Sequence, residues 1–217
     1  MKISHIGILF GLIGLGGAMP TFASSSSICD AVSGNLILNC GFEMGDFTDW
    51  TVTPAATSPD LNVTLNIPNS GSDDARFGAG GGENDLLDQT FATTSGDSYT
   101  VSFYMDSGAE VSANGQFVAN WNGGNILTIT GANGTGTGPD TAGYEFYTFT
   151  ETATSGSTDL EFGGNTKSSF YHLDDVVVTQ NPTTSAVPEP SSISFAVAGL
   201  FGILLMGRRY MDKRAQQ

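Results

Sequence analysis

Residues 98–105 read Ser-Tyr-Thr-Val-Ser-Phe-Tyr-Met and decide the fold of this chain. Every second residue from Tyr99 to Met105 belongs to one apolar set, and the residues between them carry hydroxyl groups. Because successive side chains of a β-strand point to opposite faces, this period of two predicts a strand with one buried face. A helix would need apolar residues three and four positions apart.

The same alternation recurs on both sides of this stretch, and turn residues separate the copies. Asn122-Gly123 predicts a tight hairpin, and no segment has the pattern of an amphipathic helix of ten or more residues. About nine short strands with regular turns predict an all-β fold, an antiparallel β-sandwich. Besides residues 99–105, the predicted strands cover 36–38, 61–67, 86–93, 116–121, 126–130, 144–153, 159–162 and 170–179.

Charge is distributed unevenly along the 217 residues. The chain has 22 acidic and 7 basic residues, a formal net charge of −15. Residues 24–187 hold only Arg76 and Lys167 against 20 acidic residues, all of them except Glu189 and Asp212. Since neutralising phosphates requires clustered Lys and Arg, this composition excludes nucleic acid as a partner. The segment suits one domain with a real core and is too short for two sizeable ones.

The N-terminus has the pattern of a secretory signal peptide over residues 1–23. Lys2 precedes an apolar run over residues 6–18, and small residues precede a cleavage point after Ala23. An uncleaved membrane anchor is the alternative, although the run is short for a span.

The C-terminus carries an apolar segment between two polar signals. Pro188-Glu189-Pro190 precedes apolar residues 191–207, and Arg208 and Arg209 open a basic cluster after them. A membrane helix needs about 20 residues, so the segment is borderline in length. Its basic cluster should stay cytoplasmic, which predicts an inner-membrane intermediate with the middle of the chain exported. A plain C-terminal anchor with a stiff Pro-Glu-Pro spacer is the alternative.

These three ordered elements resemble the PEP-CTERM sorting signal of Gram-negative bacteria. The resemblance implies recognition by an exosortase, a membrane transpeptidase that cuts at Pro-Glu-Pro and discards the helix. It also implies a destination in the cell envelope, on the outer surface or in the extracellular matrix, commonly linked with exopolysaccharide and biofilm. The chain then divides into a signal peptide 1–23, a linker 24–34, a β-sandwich 35–179, a linker 180–187, a sorting signal 188–210 and a basic tail 211–217.

A second resemblance covers most of the sandwich. Residues 35–50 (NLILNCGFEMGDFTDW) look like the opening motif of many PEP-CTERM proteins, and residues 171–178 (YHLDDVVV) look like a later block. The pattern is similar to galactose-binding-like jelly-roll domains, which include carbohydrate-binding modules. The resemblance therefore implies a jelly-roll sandwich, and it marks fold more than activity. Cys40 stands where the family usually has Gly.

Cys29 and Cys40 are the only cysteines of the chain. An even count in an exported domain favours a disulfide between them. A thiol nucleophile or a metal-binding pair is the alternative, for which only His172 could serve as a base and the spacing is not CxxC.

The jelly-roll resemblance also implies a calcium ion. In such folds the first and last strands lie close together, and a Glu and an Asp from them often share a structural Ca²⁺, which prefers oxygen ligands. Here Glu43 and Asp174 are the expected ligands, with Asp175 as the less favoured partner because strict alternation turns the two aspartates to opposite faces. The alternative is that Glu43 caps turn amides while both aspartates are solvated.

Catalysis finds less support in the sequence. A glycosidase needs two carboxyl groups about 5–10 Å apart, but no motif singles out a pair. A Ser-His-Asp site needs a placed histidine, and His172 sits in an expected core-facing strand. A non-catalytic protein is therefore predicted, with a carboxylate-based glycoside hydrolase as an alternative.

Aromatic side chains are the other route to function, because rings can stack on sugar faces. Most aromatic residues of a sandwich belong to its core, as is expected of Trp50. Trp121 beside the predicted hairpin is the first candidate for an exposed ring, and Tyr104 on the polar face of its strand is the second. The sequence thus predicts a surface or matrix protein that binds exopolysaccharide, or a passive structural or adhesive protein without a defined ligand.

Overall fold

The structure is a computed structural model that describes residues 26–107, 111–132 and 143–182. These ranges contain a short 3-10 helix at Ile28–Ala31 and ten strands. The chain divides after Thr179 into two units, and the sandwich core belongs to the first. The strands are β1 Thr51–Thr53, β2 Leu61–Thr64, β3 Asp74–Phe77, β4 Asp85–Ala92, β5 Ser98–Ser107, β6 Gln116–Trp121, β7 Gly124–Thr130, β8 Glu145–Thr152, β9 Ser157–Asn165 and β10 Tyr171–Gln180.

The ten strands form two five-stranded sheets. The first sheet has the order β1-β4-β9-β6-β7, and the second has the order β2-β3-β10-β5-β8. The strand pairs whose register is resolved are all antiparallel. From β3 to β6 and again from β7 to β10, each strand lies in the other sheet from the one before it, as in a jelly roll. The predicted all-β antiparallel sandwich is confirmed.

An aromatic core fills the space between the sheets. Phe103 of the second sheet contacts Phe162 of the first edge to face, with ring centroids 5.0 Å apart. Phe117 packs against Phe77 at 5.6 Å and Tyr171 at 5.8 Å. All five rings are fully buried. Aromatic pairs of this kind each contribute about 0.5–1.5 kcal/mol of stability beyond that of their buried area.

The hairpin predicted at Asn122-Gly123 joins β6 to β7. Trp121 pairs with Gly124 across it, and Asn122 and Gly123 both have positive φ, 48° and 74°. Two consecutive positive φ values define the type I′ turn that Asn-Gly favours.

The strands of the structure differ from the predicted ones at three places. Residues 36–38, predicted as a strand, lie outside the ladders: the Leu36 amide donates to the Val178 carbonyl of β10, but the Leu38 amide donates to the side chain of Gln89. Strands β1 and β3 escaped prediction. β1 is only three residues long and exposed, and β3 carries Asp74 and Arg76 on its outward positions.

Trp121 is not exposed, which corrects the first prediction for a sugar-stacking ring. Its side chain is 5% exposed and packs against Phe91 and Tyr99 at 5.8 and 6.0 Å between ring centroids. The alternation along β6 turns Phe117 and Trp121 to the same, inner face, so proximity to the hairpin does not bring the ring to the surface.

The two predicted targeting segments fall outside the described residues. They include the signal peptide 1–23, Pro188-Glu189-Pro190, the helix 191–207, and Arg208 and Arg209. Within the part of the chain that is described, no helix has the length and apolarity needed to cross a membrane.

Candidate functional site

The opening motif folds into a loop organised by Asn39. Its Nδ2 donates to the carbonyls of Asp46 and Thr48, both at 3.0 Å, and its own carbonyl accepts the indole N–H of Trp50 at 3.1 Å. Phe42 is buried under this loop, 5.6 Å from the Trp50 ring. Trp50 is core, as predicted, and the motif holds Glu43 beside the turn at residues 71–73.

Glu43 reaches from this loop to a neighbouring turn. Its Oε1 accepts the backbone N–H groups of Ser72 and Asp73 at 2.8 and 3.1 Å. Gly71 has φ 69°, and a Cβ at this position would lie 2.0 Å from Oε1, so only glycine leaves room for the carboxylate. Glu43 Oε2 is buried and has no hydrogen-bond partner among the described residues.

Asp174 and Asp175 turn to the same loop, although strict alternation predicted opposite faces. Asp174 Oδ2 accepts the N–H groups of Asn69 and Ser70 at 2.8 and 3.1 Å. Asp175 accepts from the Asn69 side-chain amide and from the Ser70 hydroxyl, each at 2.8 Å. The reason is the left-handed backbone at Asp175, with φ 53°, which breaks the period of two in the way that a bulge does.

The predicted calcium ligands therefore all bond to one turn, residues 69–73; Asp174 and Asp175 are buried there, and Glu43 is half-buried. The alternative prediction holds in part, since Glu43 does cap turn amides, but the two aspartates are buried rather than solvated. Burial, reinforced by repulsion from Asp175, raises the pKa of Asp174 to about 8, while its amide donors oppose that shift. Burial and the nearby charges of Glu43 and Asp74 also raise the pKa of Asp73.

These carboxylates are near one another, but their oxygen atoms do not converge on one point as metal ligands do. Within the described ranges, one group of three metal-binding side chains has all its ligand atoms within 4.8 Å of one another, and it consists of Cys29, Asp30 and Cys40. The two sulfurs of that group are bonded to each other, so neither is available as a thiolate ligand.

The predicted disulfide between Cys29 and Cys40 is confirmed, with a Cα–Cα distance of 6.1 Å. It ties the 3-10 helix to the opening loop. The Ile28 and Cys29 amides donate to the Ser70 hydroxyl at 2.9 Å and to Asp175 at 3.4 Å. The N-terminal segment is thereby held beside the carboxylate cluster.

This segment forms one wall of a groove of about 370 Å³ on the outer face of the second sheet. The opposite wall is a pair of rings, Tyr104 on β5 and Phe146 on β8, which face each other across the ladder with centroids 5.0 Å apart. Phe146 is 56% exposed. The lining residues are Ile28, Cys29, Val32, Ser102, Tyr104, Phe146, Asp175 and Val177.

A row of hydroxyl groups continues from the ring pair along β5 and β8. The paired residues are Ser102 with Thr148, Thr100 with Thr150 and Ser98 with Thr152. They lie on the outer face because the residues between them, such as Val101 and Phe103, belong to the core. Tyr104 thus lies on the outer face of β5, as its alternation predicted.

Phe146 is the residue of this site that the sequence reasoning missed. The signal was present, because Phe146 and Thr148 alternate with the inner residues Tyr147 and Phe149. Three aromatic residues within four positions hid that period, and only the pairing with Tyr104 shows that Phe146 faces outward.

No protein-family model matches the chain, and no curated protein matches it. Solved structures with a similar shape include a bacteriophage CBA120 tailspike enzymatically active domain (TM-score 0.48, 14% identity, 68% of this chain and 21% of that one). A second is TmCBM61 in complex with β-1,4-galactotriose (TM-score 0.49, 16% identity, 69% of this chain and 100% of that one). A third is the CBM22-1 xylan-binding domain of Paenibacillus barcinonensis Xyn10C (TM-score 0.44, 13% identity, 64% of this chain and 90% of that one). The chain spans about a fifth of the tailspike domain, at 21%. These are similarities of overall shape, and they assign no ligand or activity to this chain.

Proposed function

We propose that this chain is an exported, non-catalytic protein whose sandwich domain binds a polysaccharide on the outer face of the second sheet. The observation that carries the proposal is the Tyr104–Phe146 pair, with its exposed Phe146 ring in a mostly apolar groove. Binding sites for small polar ligands combine apolar and aromatic walls with a few placed polar groups. The hydroxyl row beside the rings supplies those polar groups.

The dimensions of this face suit an extended chain rather than a single sugar. The row runs from Ser98 to Tyr104, six residue steps along one strand. At about 3.3 Å per residue, that is a path of roughly 20 Å. Aromatic stacking at one end and hydroxyl contacts along the path favour a linear glycan lying parallel to β5.

The charge of the domain narrows the class of glycan. Residues 24–187 hold 20 acidic and two basic side chains, which repel polyanions within a Debye length of about 8–10 Å. The favoured ligand is a neutral polysaccharide, or an acidic one bridged by cations.

A glycan array followed by titration calorimetry on the purified chain tests this proposal. Phe146→Ala and Tyr104→Ala should each weaken binding about tenfold or more, equivalent to about 1.4 kcal/mol. Leu65→Ala is the matched control, since Leu65 is a large apolar residue with 70% exposure outside the groove.

Binding that survives Phe146→Ala as well as it survives Leu65→Ala would contradict the assignment to this face. An array without binding, together with an altered biofilm on deletion of the protein, would favour a passive structural or adhesive role. Glycan turnover that disappears with one carboxylate substitution would instead favour the glycoside hydrolase.

We further propose that Glu43 and Asp174 hold a structural Ca²⁺, with Asp175 as a less favoured ligand. Two features of the residues fit such an ion: an unpartnered buried oxygen on Glu43 and carboxylates that bond to one turn. Ca²⁺ would supply the positive charge that offsets their mutual repulsion.

Chelation tests the calcium proposal. A ligand bound only by the folded state stabilises it by about 2.7 kcal/mol at a hundredfold excess over Kd, so EGTA should lower the melting temperature of the wild type. Glu43→Gln should abolish that response. Glu83→Gln is the matched control because Glu83 is exposed and caps a different amide. A melting temperature that EGTA leaves unchanged would contradict the proposal.

We also propose that an exosortase-type transpeptidase processes the chain at Pro188-Glu189-Pro190 and releases it from the inner membrane to the cell envelope or extracellular matrix. The order of the motif, the apolar segment and Arg208-Arg209 supports this. Cell fractionation with intact-mass analysis should find a mature chain that lacks the C-terminal segment. A C-terminus still at Gln217 would instead indicate a plain membrane anchor.

A further inference from the structure

A second buried polar cluster lies on the outer face of the second sheet, apart from the calcium ligands. Asp74 of β3, His172 of β10 and Asp106 of β5 belong to three neighbouring strands. Their chain neighbours Ala75, Leu173 and Met105 are in the core, so alternation turns all three side chains outward. All three are nevertheless buried, with 0%, 3% and 0% exposure.

One hydrogen bond is made inside this cluster. His172 Nδ1 lies 2.5 Å from Asp74 Oδ2. The other oxygens, Asp74 Oδ1 and both carboxylate oxygens of Asp106, are buried and have no hydrogen-bond partner among the described residues. The Gly143 backbone amide lies near Asp106 and favours the charged form of its carboxyl group, but it does not meet the geometry of a hydrogen bond.

Tyr144 adds a fourth unpartnered oxygen. It precedes β8 by one residue, and the β5–β8 register pairs Met105 with Glu145, which puts Tyr144 level with Asp106. Its hydroxyl is buried and unpartnered in the described part of the chain. Four of the six unpartnered buried side-chain atoms in that part therefore belong to one cluster. A buried polar atom without a partner costs about 1–3 kcal/mol, more if charged, so this concentration favours a ligand that bonds to these atoms.

Charge narrows the identity of that group to a cation. Asp74 and Asp106 are acidic, and His172 is the sole basic side chain that bonds to either of them in the described ranges. Arg76, the nearest alternative along β3, is directed to Asp60 at 3.2 Å and to the Phe170 ring at 4.0 Å. Buried carboxylates are normally paired or bound to a metal ion.

The donor set then selects the class of metal. Carboxylate oxygens with an imidazole nitrogen suit zinc and other divalent transition metals, whereas calcium takes oxygen ligands alone. We propose that Asp74, Asp106 and His172 form a binding site for a divalent transition-metal ion of the zinc class, with Tyr144 donating a hydrogen bond to a ligand carboxylate. The three donor atoms are not all within 4.8 Å of one another, so metal binding would require the Asp106 carboxylate to move toward the other two. No hydrogen bond of the described residues holds that carboxylate in place.

Zinc binding to the purified full chain, freed of any affinity tag and of bound metal, tests this site. We expect one Zn²⁺ per chain by elemental analysis after gel filtration, with Kd below about 10 µM, and a higher melting temperature with Zn²⁺. Asp106→Asn and His172→Gln should lose both effects. Asp60→Asn should keep both, since Asp60 pairs with Arg76 and lies outside the proposed site.

The Asp106→Asn variant also shows whether zinc binding is lost because the site is removed or because the protein no longer folds. This substitution removes an unpartnered buried charge, so the metal-free variant should melt no lower than the metal-free wild type. Absence of zinc binding by the wild type would overturn the proposal. Zinc that raises the melting temperature of Asp106→Asn as much as that of the wild type would overturn it equally.

Discussion

Removing the disulfide should lower the stability of the fold and loosen one wall of the groove. Replacing Cys29 and Cys40 together by serine breaks the one covalent link between the 3-10 helix and the opening loop. Both positions are almost completely buried, and the remaining ties of the helix are hydrogen bonds to Ser70 and Asp175.

The size of the effect follows from the length of the closed loop. The two cysteines are separated by 11 positions. The chain-entropy relation for a loop of about 12 residues predicts a stabilisation of about 3 kcal/mol. For a domain of this size, about 3 kcal/mol corresponds to a drop of roughly 6–12 °C in melting temperature.

Urea unfolding of the double variant under non-reducing conditions measures this loss. The wild type treated with dithiothreitol is the control, because it breaks the bond without burying two serine hydroxyl groups. Under the proposed function, glycan binding should weaken as well, since Ile28, Cys29 and Val32 line the groove. An unfolding midpoint that stays the same in both samples, with the thiols verified as free, would refute the reasoning.

Three further substitutions test the packing and electrostatics of the sandwich. Partial burial and neighbouring carboxylates, among them Glu161 directly across the ladder, raise the pKa of Asp88 above 3.8. The unfolded chain therefore releases this proton at a lower pH than the folded chain does, and the contribution of Asp88 to stability falls as pH rises above about 4. Asp88→Asn should flatten the resulting decline in urea midpoints between pH 4 and pH 7. Gly164→Ala would bring a Cβ within 2.6 Å of Phe77 and should cost about 1–3 kcal/mol, whereas Gly156→Ala, with its nearest atom at 3.9 Å, should be nearly neutral; equal melting temperatures would argue against the close contact. Tyr171→Phe leaves the Gly131 carbonyl without its 3.0 Å donor and should cost about 1–3 kcal/mol by thermal unfolding, so a variant as stable as the wild type would show that the bond contributes nothing.

Local sequence determined the strands that have one buried and one solvated face. Along β5 and β6 the apolar period of two is uninterrupted, so the inner residues could be identified without a partner strand. Asn122-Gly123 likewise determined its own turn, because both residues tolerate positive φ. The even cysteine count in a segment that the sequence predicts to be exported was enough to predict the disulfide.

The tertiary structure decided the features that depend on residues far apart in the chain. β3 escaped prediction because Asp74 and Arg76 appear as surface residues until His172 and Phe170 cover them. Likewise, the positive φ at Asp175 allows both Asp174 and Asp175 to bond to the turn at residues 69–73, about a hundred positions away.

The groove shows the same division. The sequence determined that Tyr104 lies on the polar face of its strand, but it could not pair that ring with Phe146 or exclude Trp121. Both outcomes depend on which strand lies beside which and on which face the second sheet covers. Alternation is a local property that one strand expresses alone, whereas exposure is decided by the neighbours that the folded chain brings against it.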